Sequence, residues 1–167
     1  MPLAKYNEIR HKMQTGDLLL WRSNSLLGAA IRYFSKGNVN HASIVMCFPE
    51  YEGEECRRWT TEALEHGTVL NLLSRRLDKY DGQVWWYPLK DDWGQQRCII
   101  GRRALSMIGI EYDYGSLFKN LLGKVNAEAR RLFCSEYYFL ALGMEGKAPT
   151  PAGLPGLGIF KDAVQIL

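Results

Sequence analysis

Residues 41–48 have the sequence HASIVMCF, and this stretch decides the class of fold. Its run of Ile, Val, Met and Phe has the length of one strand and consists of residues that favour strands. A polar segment over 38–40 precedes it, and a loop over 49–55 with Gly53 follows it. Because residues 58–63 then return as a second strand, the sequence predicts an antiparallel hairpin.

The segments on either side of this hairpin have strand or helix patterns. Further strands are predicted over 18–21, 68–72 and 84–89, and helices over 5–14, 26–34, 91–108, 112–122 and 133–142. The sequence therefore predicts one α+β domain over residues 1–167, in which helices pack on a small antiparallel sheet. Residues 1–14 form an N-terminal extension, and residues 149–160 form a loop rich in proline and glycine.

The composition is typical of a globular protein with one hydrophobic core. The chain has 167 residues, 47% of them hydrophobic, and a formal net charge of +3. No segment approaches the ~20 apolar residues of a transmembrane helix, and the polar N-terminus lacks the apolar region of a secretory signal. We therefore expect a cytoplasmic protein without a transmembrane segment, unless another route delivers it to the cell envelope or it is encoded by a phage.

Four Arg-Arg pairs contribute much of the positive charge. They lie far apart in the sequence and lack interleaved aromatic residues, so we expect no specific nucleic acid partner. They are either solvated surface charges or a rim that attracts an anionic substrate or a membrane surface. The pairs are Arg57-Arg58, Arg75-Arg76, Arg102-Arg103 and Arg130-Arg131.

Among the four cysteines, Cys134 is the best candidate nucleophile. The others are Cys47, Cys56 and Cys98, and the absence of a C-x-x-C pair argues against a zinc ribbon or a thioredoxin-like site. A disulfide between Cys47 and Cys56 across the hairpin stays open. Cys134 is predicted to lie where the helix over 133–142 begins, and there free N–H groups favour a thiolate and an oxyanion. The alternative is a small buried apolar residue.

Of the three histidines, His41 is the best candidate general base. It lies at the mouth of the apolar strand, whereas His11 belongs to the polar N-terminal segment and His66 to a turn. A third group must orient the imidazole. The hairpin register brings Glu62 or Leu64 close to His41 or Ser43, so Glu62 is the preferred orienting group. Glu65 is the alternative, and Glu62 could also be an exposed strand residue.

Several segments together resemble the circularly permuted NlpC/P60 proteins, a papain-like branch that includes bacterial YiiX-type hydrolases and a poxvirus relative. The resemblance extends over about residues 15–155, with the histidine segment first and the cysteine segment last. The matching segments are Gly16-Asp17-Leu18-Leu19-Leu20, His41-Ala42-Ser43-Ile44-Val45, Glu62-Ala63 with Gly67, Gly109-Ile110-Glu111-Tyr112-Asp113, Phe133-Cys134-Ser135-Glu136 and Pro151-Ala152-Gly153-Leu154.

This resemblance implies a single permuted papain-like domain with a small, barrel-like antiparallel sheet. It implies that Cys134 is the nucleophile, His41 the base and Glu62 the residue that orients His41. It also suggests substrate-binding roles for Tyr112, Asp17 and Ser135. The implied chemistry is acyl transfer through an acyl-enzyme, which needs no metal or organic cofactor.

The resemblance leaves the substrate open between two classes. An amide bond in peptidoglycan peptides is the first expectation, with arginines that meet the carboxylates of the peptides. Hydrolysis or transfer of acyl groups on lipids or other esters is the second. A binding module that keeps the fold without turnover is the non-enzymatic alternative. The oligomeric state stays open.

Overall fold

The computed structural model describes residues 3–25, 29, 33, 37–52, 56–64, 67–109 and 125–167. Within these residues six strands form one antiparallel sheet, with the order β4-β3-β2-β1-β5-β6. The strands are β1 (Leu18–Ser23), β2 (His41–Met46), β3 (Trp59–Leu64), β4 (Gly67–Leu72), β5 (Gly82–Tyr87) and β6 (Val164–Gln165).

Helices cover both faces of this sheet. The α-helices are α1 (Ala4–Ile9), α2 (Pro49–Glu52), α3 (Leu73–Asp78), α4 (Arg97–Ser106) and α5 (Val125–Leu142), and the 3₁₀-helices are Arg10–Lys12, Asp91–Gln96 and Pro151–Leu157. The strands β1 and β2 are buried on both faces, which explains their nearly continuous apolar sequences.

The alternation of side chains along the central strands divides the core into two clusters. On one face Leu18 and Leu20 pack with residues of α4 and α5, including Ile100 and Tyr138. On the other face Leu19, Trp21 and Val45 pack with residues of α1 and α3, including Tyr6, Ile9, Leu73 and Leu77. Successive strand residues point to opposite faces, so one short apolar sequence supplies both cores.

The α+β class is confirmed, but the sheet is open rather than barrel-like. The edge strands β4 and β6 do not pair with each other, because the sheet order places four strands between them. Within the loop predicted over 49–55 the structure has α2, and within the loop over 149–160 it has the 3₁₀-helix Pro151–Leu157. The predicted helices over 26–34 and 112–122 fall on residues that lie largely or wholly outside the described ones.

A turn before β1 joins the sheet to α4 and α5. Gly16 has a φ of +92°, which favours glycine, and its carbonyl accepts a hydrogen bond of 2.7 Å from the Tyr138 hydroxyl. The next residue, Asp17, is 1% exposed. Its carboxylate accepts hydrogen bonds from the backbone N–H groups of Gln14 and Leu89, the Trp86 indole and the Arg97 guanidinium, at 2.7–3.0 Å.

We predict that Asp17→Asn destabilises the fold by about 3 kcal/mol, because it removes the charge that pairs with Arg97 and turns an amide NH₂ toward donors. Urea unfolding measured by circular dichroism gives the free energy. The control is Asp91→Asn, since Asp91 is an exposed carboxylate that pairs with Lys161 at the surface. Equal unfolding midpoints for the two variants would contradict a structural role for Asp17.

Candidate functional site

The pairing of β2 with β3 places Glu62 beside His41. Ile44 lies opposite Thr61, and continuing this register brings Glu62 opposite Ser43. Ser43 and His41 lie two residues apart on one face of the strand, so Glu62 is the diagonal neighbour of His41. The Nε2 atom of His41 lies 3.0 Å from the Oε2 atom of Glu62.

The Glu62 carboxylate is 0% exposed and is held by three side chains. Besides His41, Asn71 of β4 donates to its Oε1 atom at 3.1 Å. Arg76 of α3 donates through Nε to Oε1 at 2.9 Å and through Nη2 to Oε2 at 3.4 Å. The hydrogen bonds and the positive charge of Arg76 compensate the loss of water around the buried carboxylate.

Aromatic rings and hydroxyl groups fix the positions of these side chains. The Arg76 guanidinium lies 4.9 Å from the ring centre of Trp21 and 5.1 Å from that of Tyr80, within the range of a cation–π interaction. The Trp21 indole donates a hydrogen bond of 2.8 Å to the Ser43 hydroxyl. Trp21 therefore connects the backbone of β1 to both the guanidinium and the strand that carries His41.

Cys134 reaches the same place from α5, which packs on β2 and β3. Tyr138 lies one turn later in the helix, and its hydroxyl donates a hydrogen bond to the Gly16 carbonyl just before β1. The start of β1 pairs with the C-terminal end of β2, whereas His41 is the first residue of β2. Cys134 therefore lies toward the first residue of β2. Its side chain forms a hydrogen bond with His41. Because Nε2 faces Glu62, the Nδ1 atom of His41 is the one left to face the thiol.

These contacts shift the pKa values of His41 and Glu62 away from their ordinary ranges, in opposite directions. Burial lowers the pKa of His41, but the hydrogen bonds to Cys134 and Glu62 and the negative charge of Glu62 outweigh it and raise the pKa to about 9. Burial raises the pKa of Glu62, but His41 and Arg76 outweigh it and lower the pKa to about 2. At neutral pH the arrangement therefore favours an imidazolium beside a carboxylate.

The prediction that Cys134 lies at the start of its helix is wrong. The helix α5 begins at Val125, so Cys134 is well inside it rather than in its first turn. A backbone N–H at such a position belongs to the i→i−4 hydrogen bonds of the helix and is not free for an oxyanion. Within the described residues, His41 is the titratable group that forms a hydrogen bond with Cys134.

The structure brings Cys134, His41 and Glu62 together. Of the three predicted substrate-binding residues it describes two, Asp17 and Ser135, and both are buried. Asp17 is buried, and its oxygens are occupied by the donors around the β1 turn, which leaves no surface for a substrate. Ser135, the neighbour of Cys134 in α5, is 0% exposed. Tyr112 lies outside the described residues, as does the alternative orienting residue, Glu65.

The other candidates lie apart from this cluster or outside the described residues. His11 is exposed on the 3₁₀-helix Arg10–Lys12, and His66 falls outside the described residues. Cys98 is exposed on α4. Cys47 and Cys56 are free thiols rather than a disulfide, and the Cys47 Sγ atom lies 3.3 Å from the Met13 carbonyl oxygen.

Arg76 and Asn71, which complete the shell around Glu62, were not among the site residues predicted from the sequence. The sequence shows the Arg75-Arg76 pair, but it does not indicate that Arg75 is exposed while Arg76 binds the buried Glu62. The spacing of α3 carried a signal, because Leu73 and Leu77 bury one face of the helix, and Arg76 lies next to that face.

Neither metal ligation nor membrane spanning has support among the described residues. No group of three or more His, Cys, Asp or Glu side chains within them is arranged to hold a metal ion. Of the helices in the part of the chain that the structure describes, none has the length and apolar character needed to cross a membrane.

Comparison with known proteins supports the fold. No family model matches the chain, and no curated protein sequence matches it. The structure is similar to the crystal structure of the metalloprotein YiiX from Escherichia coli O157:H7, with a TM-score of 0.53 and 14% sequence identity. The similarity covers 92% of this chain and 96% of that chain. The α+β fold of the chain is therefore of the YiiX type.

We predict that the pair of His41 and Glu62 stabilises the fold most between about pH 4.5 and pH 6.5. Above pH 6.5 the unfolded imidazole is neutral while the folded one keeps its proton, so stability falls as the pH rises through about 9. Below pH 4.5 the unfolded carboxyl is protonated while Glu62 is not, so stability falls as the pH drops toward about 2.

The measurement is the free energy of unfolding in urea as a function of pH. Each of these groups contributes a slope of at most about 1.4 kcal/mol per pH unit. We expect His41→Gln to lose the component above pH 6.5 and Glu62→Gln the component below pH 4.5. Parallel pH profiles for wild type and both variants would contradict this assignment.

Proposed function

We propose that the protein is a cysteine hydrolase in which Cys134 is the nucleophile, His41 the general base and acid, and Glu62 the residue that orients His41. The observation that carries the proposal is the position of His41 between the two other side chains, with Nε2 on the Glu62 carboxylate and a hydrogen bond to Cys134. A nucleophile, a base and an orienting group within hydrogen-bonding reach are the signature of covalent catalysis.

The mechanism begins with the Cys134 proton already on His41, as the imidazolium that the raised pKa of His41 favours at neutral pH. The thiolate attacks the carbonyl carbon of the substrate, and the resulting tetrahedral intermediate expels its leaving group, which takes the proton from the imidazolium. The product is a thioester on Cys134. His41, now neutral, removes a proton from water, the hydroxide attacks the thioester, and the acid and the free thiol are released.

Glu62 serves this cycle by fixing the ring and the charge of His41. Its carboxylate accepts a hydrogen bond from Nε2, which turns Nδ1 toward Cys134 and stabilises the positive charge that His41 carries twice in each turnover. Arg76 and Asn71 keep the carboxylate in place from the other side. They are positioning residues, because they act on His41 only through Glu62.

We further propose that this fold is a permuted form of the papain-like NlpC/P60 fold. The chain order His41, Glu62, Cys134 is the order of the permuted branch, and a catalytic triad is defined by geometry rather than by chain order. The similarity to YiiX concerns the fold alone, so the proposed permutation depends on this order of residues. The first substrate we propose is an amide bond in peptidoglycan peptides, and the second is an acyl ester, including a lipid.

A second candidate function is a binding module without turnover. The burial of Cys134, which is 1% exposed, favours this alternative, as does the position of its N–H group within α5. A cysteine in such a position could serve as a small apolar side chain in the core between α5 and β2. The reactivity of the thiol separates the two candidates.

YiiX is a metalloprotein, but we propose no metal-dependent step for this chain. Among the described residues, His41 and Glu62 are the metal donors clustered with Cys134, but the Arg76 guanidinium already lies against the Glu62 carboxylate. A cation on the same carboxylate would be repelled by this guanidinium. The residues therefore do not fit a metal, and no step of the proposed reaction uses one.

Alkylation by iodoacetamide at pH 6 tests the activation of Cys134. Accessibility alone predicts that the exposed Cys98 reacts before the buried Cys134. A thiolate paired with an imidazolium predicts the opposite order, because the thiolate is the reactive form. We expect Cys134 to react first, and its rate to fall at least about tenfold in His41→Ala, as peptide mass spectrometry would measure.

The matched control is His11→Ala, which removes an exposed imidazole far from Cys134 and should leave the order of alkylation unchanged. Circular dichroism establishes that each variant is folded. Slow alkylation of Cys134 at the same rate in wild type and His41→Ala would rule out the catalytic proposal and favour the binding module.

Product analysis tests the class of substrate. We expect purified muropeptides to be cleaved at an amide bond by wild type and not by Cys134→Ala, because the variant lacks the nucleophile. Phospholipids are incubated in parallel, and mass spectrometry detects released peptides, amino acids or fatty acids. Release of fatty acid by wild type alone would replace the first substrate with the second, and no difference between wild type and variant on either substrate would contradict both.

A further inference from the structure

A cleft at the edge strand β4 gathers positive charges from segments far apart in the sequence. It has a volume of about 580 Å³, and its basic residues are Arg57 at the approach to β3 and Arg75, Arg76 and Lys79 on and just after α3. Arg57 of one Arg-Arg pair and both arginines of the pair Arg75-Arg76 therefore line the same cleft, whereas Arg58 is buried and donates to the Met13 carbonyl. Among the described residues that line the cleft, none has an acidic side chain.

One of these cations, Arg76, is paired with a buried carboxylate. Its guanidinium is bound to Glu62, so that one positive charge is neutralised locally. Arg75 and Lys79 are exposed in the same cleft. These exposed cations lie together in a chain whose whole formal charge is only +3, and such a grouping attracts an anionic ligand.

The wall of the cleft adds apolar and hydrogen-bonding groups to this charge. Trp59, Leu70 and Leu72 form its apolar side, and Asn71 is the polar residue beside the cations. Guanidinium groups match the geometry of phosphate oxygens through paired N–H donors, and several cations favour a doubly charged group over a single carboxylate. A small apolar wall beside the cations suits the carbon skeleton of a phosphate ester.

We propose that this cleft is a binding site for a phosphate group, carried by a small phosphorylated molecule or by a lipid headgroup. Asn71 and Arg76 line the cleft and also bind Glu62, so the phosphate lies on the side of Glu62 that faces away from His41 and Cys134. The site is separate from the thiol, and its existence does not depend on the proposed hydrolase activity.

Thermal unfolding of the full chain with increasing inorganic phosphate tests the site, at an ionic strength kept constant with sodium chloride. We expect a saturable rise of the unfolding temperature in wild type, because a ligand that binds the folded state stabilises it. Arg75→Gln/Lys79→Gln should weaken the apparent affinity at least about tenfold. Both side chains are exposed, so the variant should keep the fold, as circular dichroism would establish.

The matched control is Arg102→Gln/Lys12→Gln, which removes two exposed positive charges outside the cleft and should keep the affinity of wild type. An equal loss in the control, or no saturable effect in wild type, would overturn the proposal. Acetate at the same ionic strength should bind at least about tenfold more weakly than phosphate. Equal binding of acetate would overturn the assignment to phosphate.

Two further probes distinguish the sources of the phosphate group. Glycerol 3-phosphate represents a small ester, and vesicles of phosphatidylglycerol, compared with vesicles of phosphatidylcholine, represent a lipid headgroup. Binding of glycerol 3-phosphate without binding of the anionic vesicles supports the site with a small-molecule ligand. If wild type binds the anionic vesicles and Arg75→Gln/Lys79→Gln does not, the result supports the site with a lipid headgroup as its ligand. If Arg75→Gln/Lys79→Gln and the control double variant lose vesicle binding equally, the result overturns a lipid role for the cleft.

Discussion

The buried negative charge of Glu62 is the constraint on which the site depends. A carboxylate with no solvent exposure is costly unless donors and positive charges replace the water that it loses. Here the replacements come from three different elements, with His41 on β2, Asn71 on β4 and Arg76 on α3. The carboxylate on β3 therefore connects its two neighbouring strands and the helix that covers them, and any shift of one element leaves a buried charge without its partner.

The same charge determines what His41 can do. Burial alone would favour the neutral imidazole, yet the hydrogen bonds to Cys134 and Glu62 raise the pKa of His41 above its ordinary value. The positive ring is therefore the charged group that contacts Cys134. The sequence had suggested instead that the free N–H groups of a helix start lie beside this thiol. Because α5 begins at Val125, that contribution is absent at Cys134.

Much of the frame of the site was predictable from local patterns. Short continuous runs of apolar residues predicted the central strands, and the loop between residues 48 and 58 fixed the hairpin register closely enough to select Glu62. The prediction placed the start of α5 at residue 133, although residues 127–132 are good helix formers (Ala, Glu, Ala, Arg, Arg and Leu). The apolar pattern used to predict the helix begins only after this polar segment. The strand β6 has two residues, too few for any periodicity.

What local patterns could not predict is which polar residues turn inward. Asp17 was expected to meet a substrate, but the donors that fill its oxygens come from residues 86–97, about 70 to 80 positions away in the chain. Arg76 was expected at the surface, but it lies over the Trp21 ring and binds Glu62. Such partners follow from the tertiary fold, because the strand order β1-β5 joins segments that are remote in sequence.

The two buried carboxylates show why only one of them belongs to a reactive site. Each is paired with an arginine, Asp17 with Arg97 and Glu62 with Arg76. The remaining donors to Asp17 are backbone N–H groups and an indole, none of which gains or loses a proton near neutral pH. Glu62 instead has one partner that titrates, His41, and that partner contacts a thiol. A proton can therefore move in the Glu62 cluster but not around Asp17, and this difference in donor chemistry, rather than burial or charge, separates the candidate catalytic carboxylate from the structural one.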